Sequence, residues 1–159
     1  MVDLLKFPET SRVWIYTSKR VFSDDELNDL QSHIDRFTRA WVSHNVDLHA
    51  TGGILHNRFL VLVVDESRAG ASGCSIDSSV HFIRQLGEEY QTDFFDRQLF
   101  TCVQDEEVTT YDRPGLKKAY QQGSINDQTP FFDTLIQNMG EFQRNWLKPL
   151  GDSWLKRLV

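Results

Sequence analysis

Six apolar residues stand in a row between Arg58 and Asp65: Phe59-Leu60-Val61-Leu62-Val63-Val64. No feature of the chain constrains its fold more. A strand with one wet face alternates apolar and polar residues, so a run without alternation has to be covered on both faces. Residues 58–66 therefore read as a central strand with packed material above and below. Arg12–Thr17 makes a similar demand. Val13 and Ile15 point one way, Trp14 and Tyr16 the other, and both rows are apolar.

The stretch between these strands carries the clearest helix start. Ser23-Asp24-Asp25-Glu26 is a capping box, and Phe22 and Leu27 hold the two positions of a hydrophobic staple. Leu27, Leu30, Ile34, Phe37 and Trp41 then recur at spacings of three and four, which predicts a helix running to about His44. Residues 48–54 read as a weaker strand interrupted by Gly52-Gly53, joined to 58–66 by a turn at Leu55-His56-Asn57. A second helix follows, capped by Ser72 or Ser75, with Ile76, Val80, Ile83, Leu86 and Tyr90 on one side. Residues 99–103 read as a strand, 104–107 as a turn and 108–111 as a segment pairing back.

Asp112-Arg113-Pro114 reads as an N-cap with proline in the first turn, and Gly123 as the stop after Gln122. A last strand is expected over 131–136. Pro149 and Gly151 divide the aromatic tail into two short helical pieces.

The first 103 residues thus run strand, helix, strand, strand, helix, strand. That is the order of an α+β, ferredoxin-like βαββαβ unit, an antiparallel sheet with two helices. The rest is a C-terminal extension of strands and short helices that would cover the second face. The alternative is a doubly wound α/β sheet. Residues 1–159 read as a single domain, with no repeat or linker.

Several function classes are disfavoured by specific residues. The net charge is −6 with the signs interspersed, which argues against a nucleic-acid partner. No stretch offers the ~18 consecutive apolar residues of a membrane span. The start, Met1-Val2-Asp3-Leu4-Leu5-Lys6-Phe7-Pro8, lacks the apolar run of a signal peptide. Cys74 and Cys102 have no metal or redox spacing and fit a reducing cytoplasm. No histidine pair has metal-ligand spacing, so no metal ligand is assigned, and no cofactor is specified.

Residues 65–77 form the most chemically suggestive segment. They leave a strand, cross the small-residue loop Ser67-Arg68-Ala69-Gly70-Ala71-Ser72-Gly73, and enter a helix. Ligands favour strand carboxyl ends and helix N-termini. The ligand-binding candidates are Asp65, Glu66, Ser67, Ser72, Gly73, Cys74, Ser75 and Asp77, together with Arg58 at the strand start. Cys74 is the best catalytic candidate, since a thiol near a helix N-terminus can become nucleophilic. A phosphate-binding loop requires G-x-x-x-x-G-K-[ST]; here Gly70 and Gly73 are three apart and Cys74 follows, with no lysine.

Val13-Trp14-Ile15-Tyr16-Thr17-Ser18, Asn57-Arg58-Phe59-Leu60 with Val64-Asp65-Glu66-Ser67, Ala71-Ser72-Gly73-Cys74-Ser75-Ile76-Asp77, and Asp152-Ser153-Trp154 carry a resemblance over nearly the whole chain. The chain resembles a family of small uncharacterised proteins from Bacteroidetes, whose members often bear the label ABC-transporter ATPase. The Walker A motif and an LSGGQ-like signature, which that label requires, are absent. The resemblance implies a bacterial cytoplasmic setting and supplies no catalytic residues. A shorter stretch from Leu116 through Gly123, Ile125 and Thr129 resembles the helix–Gly–x–Ile–x–x–x–Thr piece of peptide-binding GYF-like modules.

With no complete catalytic set, the expectation is a non-enzymatic ligand-binding or protein-interaction domain with a small-molecule or protein partner. The alternative is a small thiol- or metal-dependent hydrolase or transferase using Cys74 or the carboxylates of Asp65 and Asp77.

Overall fold

The computed structural model describes residues 4–159. Met1-Val2-Asp3, the start of the segment read for a targeting signal, lies outside the described residues. No helix among the described residues is long and apolar enough to cross a membrane.

The apolar run becomes β5 (Phe59–Asp65), buried at every residue. β1 (Arg12–Thr17) pairs on one side of it and β4 (His49–Leu55) on the other, both antiparallel. β1 and β4 therefore run parallel to each other with β5 between them. The turn joining β4 to β5 spans the three residues between paired Leu55 and Phe59, with His56 and Asn57 in the left-handed region at φ 50° and 59°, where Asn and His are enriched among non-glycine residues.

α1 (Asp24–Ala40) begins where the capping box predicts. The Ser23 hydroxyl accepts from the Glu26 N–H, and the Glu26 carboxylate accepts from the Ser23 N–H at 3.1 Å. The helix stops at Ala40 rather than near His44. His44 and Asn45 have φ of 50° and 64° and turn a small hairpin between β2 (Val42–Ser43) and β3 (Val46–Asp47).

Gly52, which looks like a weakness in its strand, lets α1 lie close to the sheet. A Cβ there would stand 2.8 Å from Leu62 Cδ2 and 2.9 Å from Ile34 Cγ2. α2 (Gly73–Glu89) packs beside α1, and its inward face is carried by Ser75, Ser79, Ile83 and Leu86. The two small serines lie where the apolar spacing placed Ile76 and Val80.

The expected fourth strand departs from the ferredoxin-like plan. β6 (Leu99–Gln104) belongs to a second antiparallel sheet of order β7-β6-β8-β9, with β7 (Glu107–Asp112), β8 (Pro130–Phe132) and β9 (Leu147–Pro149). The tight turn at Asp105-Glu106 closes β6 onto β7 along its whole length, and Phe131 pairs with Cys102 on the other edge. A local hairpin closes at little entropic cost, and with both edges engaged β6 does not join β1. Every strand pairing among the described residues is antiparallel, which rules out the doubly wound sheet. The expected strand over 131–136 ends at Phe132.

The prediction of two-sided coverage holds. Leu60, Leu62 and Val64 pack against α1 and α2, in one cluster with Phe22, Leu30 and Ile34. Phe59, Val61 and Val63 face a second cluster with Phe132, Met139 and Phe142 from the C-terminal part. α4 (Met139–Asn145) thus helps cover the second face. A third cluster, with Phe100, Cys102 and Phe131, lies on the far side of the second sheet under α3 (Arg113–Gln121). The helix-stop segment that resembles a peptide-binding module has Gly123 at φ 77° and Ile125 buried in this third cluster.

Candidate functional site

The loop over 65–77 binds itself. Asp65, at the end of β5, accepts from the Ser67 N–H at 3.0 Å and lies 3.3 Å from His49 Nδ1. The Ser67 bonds, with His49 beside them, hold its carboxyl below the usual range. Glu66 accepts from the Ala71 N–H at 2.9 Å and so ties the loop across its neck. Ser72 caps α2 by accepting from the Ser75 N–H, while the Ser75 hydroxyl receives the Ser72 N–H at 2.6 Å. Ser75 is buried, and its carbonyl accepts from the Trp41 indole at 2.8 Å.

Gly73, Cys74 and Asp77 are exposed on the first turns of α2. Cys102, the other thiol, is buried, and burial pushes it up to about 12, so it does not form a usable thiolate at neutral pH. Arg58 joins neither an acid nor the loop. Its guanidinium donates to the His56 carbonyl and to Thr110 Oγ1 at 3.1 Å, reaching the second sheet, and burial lowers its pKa.

Metal-binding potential lies elsewhere. Among the described residues, Asp29, His33 and Glu89 form a group of three whose ligand atoms lie within 4.8 Å of one another. The Tyr90 hydroxyl donates to Asp29. Asp65, Glu66 and Asp77 do not form such a group. The four-residue spacing of Asp29 and His33 is visible in sequence; the approach of Glu89 from α2 is not.

A cleft of about 530 Å³ opens beside β1. One wall is β1 itself. Phe94 to Leu99 and 134–137 form the others, and Trp154 also lines it.

The backbone of β1 explains why this cleft differs from a simple surface hollow. The Val13 N–H points away from β5 and donates to the Gln137 carbonyl at 3.0 Å. In an antiparallel pair, alternate residues turn their backbone groups toward and away from the partner. Val13, Ile15 and Thr17 therefore face the cleft, while Trp14 and Tyr16 bond to β5. The Ser18 N–H, bonded to the Arg58 carbonyl at 2.8 Å, keeps the same alternation. Beyond Gln137 the neighbouring chain leaves the edge. Neither backbone group of Ile15 has a partner among the described residues.

The side chains around this edge are mostly apolar and aromatic, with a cationic rim. Tyr16 meets Phe95 edge-on with centroids 5.4 Å apart. Burial raises the Tyr16 hydroxyl, and the nearby Arg97 charge opposes that rise. The Arg12 guanidinium lies 4.8 Å over the Trp14 ring. Leu135 is 61% exposed, and Trp154 meets Phe100 edge-on. Arg12 and Arg97 pair with no carboxylate among the described residues.

The apolar rows of Arg12–Thr17 signal a strand covered on both faces but carry no signal for an open edge. No protein-family model, no curated protein and no solved structure matches the chain.

Proposed function

We propose that this chain is a non-enzymatic binding domain for a protein or small-molecule partner, and that its site is the cleft beside β1 rather than the loop over 65–77. One observation carries the reading. The loop's polar groups are largely spent on one another, whereas the cleft presents a strand edge where the Ile15 N–H and C=O point away from β5 and have no partner among the described residues. Unpaired backbone groups recessed beside aromatic rings favour a ligand able to pair with them. The cleft volume falls within the ~300–1,000 Å³ of ordinary ligand pockets.

A bacterial cytoplasmic setting belongs to the same reading, supported by the two free cysteines and the sequence resemblance to the Bacteroidetes family. So does the finer fold assignment. Its support is the strand order β1-β5-β4, which matches three strands of a ferredoxin-like sheet, with the cleft lying beside β1 where a fourth strand would go.

Amide-resolved NMR during titration with mixed fragments and short peptides tests the location. Shifts should concentrate on Arg12 to Thr17 and Phe94 to Leu99. Shifts concentrated on Asp65 to Asp77 would return the site to the loop. Turnover that disappears with Cys74→Ala would establish the enzymatic alternative instead.

A further inference from the structure

We infer that the cleft receives an extended, acidic segment of a partner protein, which adds to β1 as the fourth strand of the first sheet. This rests on the cleft being a binding site and names its occupant.

The backbone is the first reason. β1 is an edge strand, and an unpaired edge is a template for another strand. The chain's own 137–138 segment already uses the template at one end, through the Val13–Gln137 bond and the Arg12–Asn138 bridge. The edge remains open at Ile15. A segment entering there would accept from the Ile15 N–H and donate to its carbonyl. Its alternate side chains would then meet two different walls, Tyr16 with Phe95 on one face and Leu135 with Trp154 on the other.

Charge supplies the second reason. The chain carries 17 lysines and arginines against 23 aspartates and glutamates. Two arginines nevertheless line this one cleft, and neither has a carboxylate partner among the described residues. Among the described residues, Asp96 is the one acid that lines it. Guanidinium groups bind carboxylates in paired hydrogen bonds, so Arg12 and Arg97 favour aspartate or glutamate in the occupant.

Shape argues against a second copy of this chain. The open edge lies between the walls formed by 94–99 and 134–137. A single extended segment can enter such a recess, whereas another copy's equally recessed β1 would be held off by its own walls.

The test is selection of random eight-residue peptides displayed on phage against the whole protein, followed by affinity measurements on the winners. Selected peptides should be rich in aspartate or glutamate among β-branched residues. Replacing their acids with lysine should weaken binding at least about tenfold, since like charges then face each other. N-methylation of the amides that pair with the strand should abolish binding, while methylating the intervening amides should not.

The double variant Arg12→Glu/Arg97→Glu should reverse the preference, and Arg12→Lys/Arg97→Lys should largely keep it, with folding verified by amide spectra. Winners with no acidic preference overturn the charge assignment. Tolerance of N-methylation at every position overturns strand addition. Fragments that bind the cleft while no peptide does would leave the binding-site reading intact and overturn this inference. Shifts outside the cleft for every ligand overturn both.

Discussion

The loop over 65–77 and the edge of β1 both offer what a ligand site needs, backbone and side-chain polar groups beside apolar material, yet they spend them differently. In the loop, Asp65, Glu66, Ser72 and Ser75 each hold a neighbouring N–H of the same segment. Their residue types suggest chemistry, and their bonds describe a tight connection. At β1 the residue types are those of an ordinary apolar strand, while the backbone at Ile15 is left unpaired in a cleft. Donors and acceptors without partners, more than the presence of polar residues, mark where a ligand has something to gain.

Three substitutions press on this comparison. The largest effect is expected at Asp65, if the loop is structural. Asp65→Ala removes the acceptor of the Ser67 N–H and should cost about 1–3 kcal/mol of stability at neutral pH, read by urea unfolding, with cleft binding unchanged. The Asp65 carboxyl is held below its ordinary value in the folded protein. Its contribution is therefore present above the unfolded carboxyl's pKa and is lost as pH falls through the folded one. The gap between Asp65→Ala and the parent should close in acid. A gap constant down to pH 2 would break the assignment.

Ser72→Ala removes the α2 cap and should cost about 1 kcal/mol, again without changing ligand binding. A binding loss exceeding the stability loss would make the loop a site after all. The smallest stability effect belongs to the cleft. Leu135→Ser alters an exposed side chain and should stay within about 0.5 kcal/mol of the parent, while weakening whatever the cleft binds. Calorimetric titration beside thermal unfolding separates the two effects.

The parts of the fold that were legible were local. Glu26 lies one turn from Ser23, so the capping box can be read without knowing anything distant. The turn residues between β4 and β5 and between β6 and β7 are likewise adjacent in the chain. Trp41 shows the limit of such reasoning. It continues the helical spacing, but caps the helix instead, because the turn at His44 and Asn45 and its indole bond to Ser75 fix it there. For the candidate site, sequence correctly placed Asp65, Ser72 and Cys74 at a strand end and a helix start. It could not show that their polar neighbours would be consumed by the loop.

The uninterrupted run from Phe59 to Val64 determined by itself that a central strand would be covered on both faces, because apolar surface on either side has to leave water. Tertiary structure decided what does the covering, and that β6 pairs with β7 and β8 instead of β1. Strand pairing is a choice among distant edges with identical backbone chemistry, and side-chain alternation carries no record of which edge wins. The open edge at Ile15 is the consequence of that choice.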